Sequence, residues 1–100
     1  LKNYVVYSVA KAALVGLTKG LARDLGPRRI TVNCVEPGPI DTDMNPATGE
    51  GADEQRAMLA TGRYGTPEEV AALVAYLCSE EAAFITGAAY DIDGGVMAMR

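Results

Sequence analysis

The first quarter of the chain carries a helical pattern of apolar residues. Between residues 5 and 25, apolar side chains recur at spacings of three and four, which is the period of one helix face. Further apolar and small residues lie outside this stripe, so we expect the helix to be covered on more than one side. Gly26-Pro27 is predicted to end the helix, with Gly26 in the left-handed cap conformation. The stripe consists of Ala10, Leu14, Leu17, Leu21 and Leu25.

Two short runs predict β-strands. Residues 29–35 are rich in β-branched side chains and lack a charged face, which is typical of a buried parallel strand. Residues 36–39 are expected to end this strand. Residues 88–93 form the second run, which Gly94-Gly95 ends. Two strands cannot complete a doubly wound sheet, so we expect the first strand to expose an edge that is open to pairing.

The segment between the two strands is predicted to hold a long loop and two helices. Residues 38–51 are rich in proline and glycine, and a short helix is expected over residues 52–61. A second helix begins with Thr66 as its cap and Glu69 as the capping-box partner, and it runs to about Ser79. The order of helix, strand, loop with helices, and strand predicts an α/β protein with a parallel sheet.

Composition narrows the class of protein. The 100 residues are enough for one domain, and 49% of them are hydrophobic. Thirteen acidic and nine basic residues give a net charge of −4, which argues against a nucleic-acid partner and against a polybasic membrane surface. We also expect no segment to span a bilayer, because no uninterrupted apolar stretch approaches 18 residues, and we find no signal-peptide pattern. A cytoplasmic location is therefore expected.

The sequence offers little for metal binding. It has no histidine, and its two cysteines, Cys34 and Cys78, fit no zinc spacing, so we predict no metal site and interpret both thiols as buried. Glu36, Asp41 and Asp43 lie close together in the chain and could bind Mg²⁺. Turn and cap roles are the favoured interpretation, because nothing fixes the separation of these carboxylates.

Tyr7 and Lys11 are candidates for acid–base chemistry. They are four residues apart on the first helix, so their side chains emerge on the same face one turn apart. A phenol gives up its proton more easily beside an ammonium group and near the positive end of a helix dipole, so such a pair can exchange a proton with a substrate oxygen. Chance spacing of a tyrosine and a lysine remains the alternative.

A second candidate site follows the first strand. Gly38 permits close backbone approach, while Thr42 and the backbone N–H groups around Ile40 could bind a flat amide or a phosphate. Ligands bind at the carboxyl ends of strands in open α/β sheets, although an ordinary turn is an equal alternative. The segment Asp93-Gly94-Gly95 is interpreted as a tight turn in preference to a phosphate loop.

Four sequence blocks in this order resemble the short-chain dehydrogenase/reductase family, over essentially the whole chain. The blocks correspond to the second half of a typical member. The resemblance therefore implies that residues 1–100 are the C-terminal half of a single domain of the Rossmann type, a doubly wound parallel sheet whose N-terminal cofactor-binding half is absent. The blocks are Tyr7-Ser8-Val9-Ala10-Lys11, Asn33 to Thr42, Gly65-Thr66-Pro67-Glu68-Glu69-Val70-Ala71, and Gly87 with Asp93-Gly94-Gly95.

The resemblance also implies an active site. Tyr7 would be the catalytic acid/base, and Lys11 would make Tyr7 more acidic and bind the nicotinamide ribose. The nicotinamide end of the cofactor, NADP in slight preference to NAD, would be held by Pro37, Gly38, Ile40 through its backbone, and Thr42 through its side chain. Residues 44–62 would form the variable substrate lid, and they give no indication of the substrate beyond a small carbonyl compound or alcohol.

Two branches of the family are similar to this chain. One contains 3-oxoacyl-carrier-protein reductases, which implies an NAD(P)-dependent oxidoreductase. The other contains cyclic-di-GMP-binding biofilm-dispersal proteins, which implies a nucleotide-binding regulator without turnover. Members are commonly dimers or tetramers, so we expect a homo-oligomer formed through the helix at residues 5–25 and the C-terminal strand. We expect the 100 residues alone to be inactive.

Overall fold

The computed structural model describes residues 4–98, which form two strands and three α-helices. Helix α1 spans Tyr4–Leu25, strand β1 Cys34–Pro37, helix α2 Ala52–Ala57, helix α3 Pro67–Leu77 and strand β2 Ala89–Ile92. Short 3-10 turns follow α1, α3 and β2, at Gly26–Arg28, Glu80–Ala82 and Val96–Ala98. The predicted order of elements and the α/β class are confirmed.

Strands β1 and β2 pair in parallel, with Cys34 opposite Ala89 and Pro37 opposite Ile92. The prediction of a strand over residues 29–35 is wrong in its bounds, because pairing covers Cys34–Pro37 and includes residues that were assigned to the following turn. Backbone pairing decides these bounds, and β2 offers only four partner residues. Pro37 is tolerated because the N–H that donates to β2 at this point belongs to Gly38, so the pairing needs no donor at residue 37.

Asn33 fixes how the two strands begin. Its side-chain amide donates to the Ile85 carbonyl at 3.1 Å, and its side-chain oxygen accepts from the Ala88 N–H at 3.2 Å. The Gly87 N–H also donates to the Val32 carbonyl at 2.7 Å. These bonds align β1 and β2 so that both strands end at the same edge of the sheet.

The face of α1 that packs on the sheet differs from the predicted apolar stripe. Thr18 and Ala22 are the buried residues of α1, whereas Leu14, Leu17 and Leu21 remain exposed. Small side chains let the helix approach closely: a Cβ atom added at Gly87 would lie 3.4 Å from the Ala22 Cβ. The buried Thr18 hydroxyl is satisfied because it donates to the Leu14 carbonyl at 2.7 Å.

Helix α1 ends as predicted at Leu25, but by a different geometry. Gly26 enters a 3-10 turn with Pro27, and the left-handed conformation falls on Arg29, with φ of 60°. The Arg29 N–H donates to the Gly26 carbonyl at 2.9 Å, which closes the turn. The prediction of a left-handed Gly26 is therefore wrong, because the proline turn delays the reversal by three residues.

Two other sequence expectations need correction. By length and composition alone, the stretch Tyr4–Arg28 could cross a membrane, because an apolar window of 18 residues within it holds no more than two charged side chains. The core helix of a soluble protein passes the same test. In the structure, Lys19 of this helix donates to the Gly87 carbonyl beside the sheet at 3.2 Å. The cysteines were expected to be buried, but Cys34 is half-buried and Cys78 is exposed, because two strands and one helix cover little surface.

The segment between β1 and α3 has a small core of its own. Ala52, Leu59 and Tyr64 are buried there. Helix α2 ends at Ala57 rather than at the predicted residue 61, and Leu59 then lies in a turn. Helix α3 begins as predicted, with the Thr66 hydroxyl accepting from the Glu69 N–H at 3.1 Å and the Glu69 carboxylate accepting from the Thr66 N–H at 3.0 Å.

Candidate active site

A cleft of about 500 Å³ opens at the edge of the sheet where β1 and β2 end. Helix α1 forms one wall, and the ends of the two strands form the other. Four of the predicted site residues meet here: Tyr7, Lys11, Pro37 and Gly38. The packing of α1 against β1 brings these segments together, although Lys11 and Pro37 are 26 positions apart in the sequence. The other lining residues are Tyr4, Ser8, Glu36, Asp91, Asp93, Val96 and Met97.

Tyr7 and Lys11 lie one helical turn apart, as their spacing predicts. The Lys11 Nζ atom is 5.7 Å from the centre of the Tyr7 ring, which is close enough for a cation–π contact. The ring of Tyr4 lies beside that of Tyr7, with 6.5 Å between the ring centres. One face of the first two turns of α1 is therefore aromatic and carries a single ammonium group.

Glu36 is a member of this site that the sequence analysis placed elsewhere. Its Oε2 atom is 3.6 Å from the Lys11 Nζ atom, and the two side chains are only 20% and 37% exposed. The residue was interpreted as part of a turn, but it belongs to β1 and points to the cleft. Its position next to Pro37 at the end of a predicted strand was the one available signal.

Gly38 is required by close packing rather than by an unusual backbone conformation. A Cβ atom added at Gly38 would lie 2.7 Å from the Asp93 Cβ and 2.8 Å from the Asp93 Cα. The Gly38 N–H donates to the Ile92 carbonyl at 3.1 Å, which continues the strand pairing past Pro37. The expected close approach is thus found, and its partner is the loop after β2.

Asp93 and the two glycines after it form the tight turn that the sequence predicts. The Asp93 carboxylate accepts from the Gly95 N–H at 2.9 Å. Gly94 and Gly95 adopt positive φ angles of 64° and 86°, which glycine adopts without steric cost. The turn also packs on the end of the lid segment, since the Thr61 N–H donates to the Gly94 carbonyl at 3.1 Å.

Ile40 lies just outside the main cleft, beside a smaller one of about 190 Å³. It forms an isolated parallel bridge with Gly65, in which the Asp41 N–H donates to the Gly65 carbonyl at 2.9 Å and the Gly65 N–H donates to the Pro39 carbonyl at 3.0 Å. In such a bridge, the N–H and carbonyl of the central residue point away from its partner. The backbone of Ile40 is therefore directed away from Gly65, as a ligand-binding role requires.

Thr42 and the neighbouring acidic residues are placed apart from the main cleft. The Thr42 hydroxyl accepts from the Asn45 N–H at 3.2 Å, so the structure engages it in a turn. The Asp41 carboxylate accepts from the Ala47 N–H at 2.8 Å, which confirms the turn role that was preferred for it. The structure thus brings together Tyr7, Lys11, Pro37 and Gly38, with Ile40 adjacent, but it leaves Thr42 at the surface.

Arg63 and Glu69 fasten the end of the lid segment to helix α3. Two parallel hydrogen bonds of 2.9 and 2.8 Å join the guanidinium to the carboxylate, and Arg63 also donates to the Tyr64 carbonyl at 3.0 Å. The Arg63 guanidinium, helped by the Thr66 N–H, lowers the pKa of Glu69 from 4.5 to about 2. Gly65 lies between Arg63 and Glu69 in the sequence. This ion pair, called the clamp below, therefore also helps to hold the backbone bridge between Gly65 and Ile40.

Residues 44–62, for which the family resemblance predicts a lid and which are called the lid segment for that reason, are held by side-chain hydrogen bonds to Gln55. Its side-chain oxygen accepts from the Tyr64 hydroxyl and from the Asn45 amide, the latter at 3.2 Å. Arg56 donates to the Ala47 carbonyl at 2.5 Å and lies 5.7 Å from the centre of the Tyr64 ring. The sequence analysis missed this network, because it joins residues whose spacing follows no helix or strand period.

Comparisons with known proteins agree with the fold and with the family that the sequence resembles. The sequence profile of the family described as enoyl-(acyl carrier protein) reductase matches residues 1–97. The layout of elements and the site at the strand ends define an α/β protein of the Rossmann type, as in the solved relatives. The chain belongs to the short-chain dehydrogenase/reductase family, which confirms the resemblance found in the sequence.

Three relatives illustrate the match. The cyclic-di-GMP-binding biofilm dispersal mediator protein of Escherichia coli is 56% identical over 88% of this chain and 37% of its own length. The 3-oxoacyl-acyl-carrier-protein reductase FabG of Aquifex aeolicus is 46% identical over 92% of this chain and 38% of its own. A short-chain dehydrogenase of Burkholderia cenocepacia, solved in complex with NADP, is 55% identical with a TM-score of 0.88, over 93% of this chain and 38% of its own.

The chain thus spans little more than a third of the length of each of these relatives. Tyr7, Lys11 and the segment after β1 all lie within the matched profile, residues 1–97.

Proposed function

We propose that the whole protein is an NAD(P)-dependent oxidoreductase that interconverts a carbonyl compound and an alcohol, in the manner of 3-oxoacyl reductases. The observation that carries the proposal is the shared cleft of Tyr7, Lys11, Pro37 and Gly38 at the carboxyl edge of a parallel sheet. Open α/β sheets bind ligands at this edge. The family of the chain and its similarity to reductases support the same conclusion.

In this proposal, Tyr7 is the general acid and base. Its phenol donates a proton to the substrate oxygen when a carbonyl is reduced and accepts that proton when an alcohol is oxidised. The Lys11 ammonium, 5.7 Å from the centre of the Tyr7 ring, stabilises the phenolate that forms when the proton leaves. Its three N–H groups can also donate to the hydroxyls of a ribose.

The residues present suit the nicotinamide end of a cofactor, which supplies the hydride when it is bound. The Ile40 N–H and carbonyl, directed away from Gly65, offer one donor and one acceptor, as a planar carboxamide requires. Pro37 and Gly38 keep this backbone at the edge of the cleft. Thr42 is proposed to contribute its side chain, which requires a rearrangement of its turn with Asn45. NADP is the preferred cofactor, and the NADP complex of a relative supports that choice.

Replacement of Tyr7 by phenylalanine tests the proposal. In the whole protein, we expect Tyr7→Phe to lower kcat about 10² to 10⁴-fold, because the proton donor is lost, while the Kd for NADPH stays nearly constant. Lys11→Met should lower kcat and also weaken the binding of NADPH. NADPH oxidation with a panel of carbonyl compounds gives the rates, and calorimetry gives the Kd. The matched control is Tyr76→Phe, since Tyr76 is exposed on α3 away from the cleft. Undiminished turnover in Tyr7→Phe would overturn the assignment.

The remaining features of the proposal concern the setting of the enzyme. We propose a small carbonyl compound or alcohol as substrate, a cytoplasmic location, and a homo-oligomer formed through α1 and the C-terminal strand. The exposed leucines of α1 support the oligomer. Residues 1–100 alone are proposed to be inactive, because they span 38% or less of the length of the relatives named above.

A second function is supported by one comparison. The relative with 56% identity is described as a cyclic-di-GMP-binding biofilm dispersal mediator. On that basis, the protein would bind a nucleotide as a regulator and would not turn over a substrate. Calorimetry with cyclic-di-GMP and with NADPH separates the two functions. A regulator binds the cyclic dinucleotide and oxidises no NADPH with any carbonyl compound of the panel, whereas the oxidoreductase shows NADPH-dependent turnover.

A further inference from the structure

The Lys11 ammonium lies between a phenol and a carboxylate. On one side, the centre of the Tyr7 ring is 5.7 Å from the Lys11 Nζ atom, and on the other the Glu36 Oε2 atom is 3.6 Å away. The carboxylate is the closer partner. Since the Glu36 side chain is only 20% exposed, salt and water screen this pair less than they screen a surface ion pair.

Glu36 is held in place by its strand rather than by a flexible loop. It is the third residue of β1, and Asp91 of β2 is its direct partner in the pairing register. Both carboxylates line the cleft, as does Asp93 beyond the end of β2. Like charges directly opposite each other on adjacent strands repel. A position of Glu36 beside Lys11 relieves part of that repulsion.

The charge balance of the cleft is therefore negative. The titratable groups that face it are Tyr4, Tyr7 and Lys11 from α1, Glu36 from β1, and Asp91 and Asp93 from β2 and the turn after it. One ammonium group faces three carboxylates. A Tyr–Lys pair by itself favours the phenolate, but here the carboxylates oppose that effect.

We propose that Glu36 is a positioning residue, which holds the Lys11 ammonium toward β1 and offsets its charge at the Tyr7 phenol. This inference rests on the proposed function, because it concerns the residue that is assigned there as the acid. The Glu36 Oε2 atom, 3.6 Å from the Lys11 Nζ atom, is nearer to it than the centre of the Tyr7 ring, which is 5.7 Å away, so the ammonium is drawn toward the carboxylate.

The test is the pH profile of kcat/KM for carbonyl reduction by the whole protein and its Glu36→Gln variant. Glutamine has nearly the same shape and no charge, so the alkaline fall of the profile should move to lower pH. At a fixed pH on that falling limb, we expect kcat/KM to be about three- to tenfold lower than in the parent protein. A merely structural defect would lower the rate at every pH and leave the profile in place.

Two further variants show whether a shift of the pH profile depends on where the removed carboxylate lies. Asp91→Asn removes a carboxylate that lines the cleft but is the register partner of Glu36 rather than the salt-bridge partner of Lys11, so it should move the profile in the same direction by less. Glu81→Gln removes a carboxylate from the 3-10 turn after α3, outside the cleft, and should leave the profile unchanged. If Glu36→Gln does not fold, the pH profile of Asp91→Asn still tests whether the carboxylates of the cleft affect Tyr7. An unshifted profile in that variant would overturn the electrostatic role.

A readout without turnover separates this inference from the proposed function. The ultraviolet difference spectrum reports ionisation of tyrosines, and subtraction of the Tyr7→Phe spectrum leaves the signal of Tyr7. The phenol should ionise at lower pH in Glu36→Gln than in Glu81→Gln. Identical titrations would overturn the role of Glu36 even if the enzyme is active. Absence of all turnover, with a shifted titration, would overturn the proposed function and leave the role of Glu36 intact.

Discussion

At the scale of single residues, the cleft depends on places where two loops come too close for a side chain. Gly38 and Asp93 are such a place, because the loops after β1 and β2 touch there through backbone and Cβ atoms. Gly65 is another, since a Cβ atom there would lie 2.8 Å from the Ile40 Cδ1 atom. In the second case a flexible side chain can move, whereas in the first the neighbour is backbone.

This difference gives a prediction for Gly38→Ala. The added methyl group would lie 2.7 Å from the Asp93 Cβ, so the loops must separate, and we expect the free energy of unfolding to fall by about 1–3 kcal/mol. The control is Gly20→Ala in α1, where nothing in the described part of the chain lies within 4 Å and a gain of about 0.5–1 kcal/mol is expected. Denaturant unfolding of the whole protein measures both, and equal stabilities would contradict the close approach.

At the scale of elements, several side-chain hydrogen bonds hold the start of α3 in place. The capping box joins Thr66 to Glu69, and the same carboxylate binds Arg63 at the end of the lid segment. Because Gly65 lies between them and pairs with the loop after β1, one carboxylate fixes the relation of three segments. Residues 44–62 and the loop after β1 are both positioned through this junction.

The lowered pKa of Glu69 makes the stabilising effect of the clamp dependent on pH. The pKa falls from 4.5 to about 2 on folding, so the stabilisation is fully present above pH 4.5 and is lost as the pH falls toward 2. We expect Glu69→Gln to be less stable than the parent at pH 6, and the difference to shrink between pH 4.5 and 2. A glutamine at this position can still accept from the Thr66 N–H, so the variant isolates the contribution of Arg63.

Unfolding midpoints measured from pH 6 downward check this prediction. The matched control is Glu68→Gln, because Glu68 is the preceding residue in the same first turn of α3 and belongs to no described ion pair. A difference between parent and Glu69→Gln that stays constant down to pH 2 would show that Glu69 is not the titrating group.

At the scale of the whole molecule, the described chain has a small core. Five hydrophobic residues are buried, and the radius of gyration is 15.5 Å, against about 13 Å for a compact domain of 100 residues. Leu14, Leu17 and Leu21 form an exposed apolar stripe along α1. Burial of one leucine contributes about 1.5–3 kcal/mol, so a surface of this kind is expected to be covered in the functional assembly. The five buried residues are Ala22, Ala52, Leu59, Tyr64 and Ala82.

The proposed oligomer leads to a prediction for Leu17→Glu. A charge in the centre of the stripe should prevent association, so the molar mass of the whole protein, measured by light scattering after size exclusion, should fall to that of a smaller assembly. Met44→Glu is the control, because Met44 is 97% exposed in the lid and lies outside α1. An unchanged mass would contradict the role of the stripe, as would loss of the folded state in circular dichroism, which would indicate that the protein's own chain covers Leu17.

The sequence alone predicted those features that depend on neighbouring residues. The capping box at Thr66, the tight turn at Asp93 and the juxtaposition of Tyr7 with Lys11 follow from local spacing and turn chemistry, and the four blocks were sufficient for the family. Such features need no knowledge of distant segments, because the groups involved are at most four residues apart or belong to regular elements.

The tertiary structure decided which surfaces and charges meet. The sequence predicted that the leucine stripe of α1 would be covered, but the structure buries Thr18 and Ala22 instead, and Ala22 packs closely on Gly87, just before β2. The bounds of β1 depend on the four residues that β2 offers for pairing. The salt bridge between Glu36 and Lys11 depends on the register of β1 and on how α1 packs against that strand. Contacts between distant segments follow from packing of the whole chain, which no local pattern specifies.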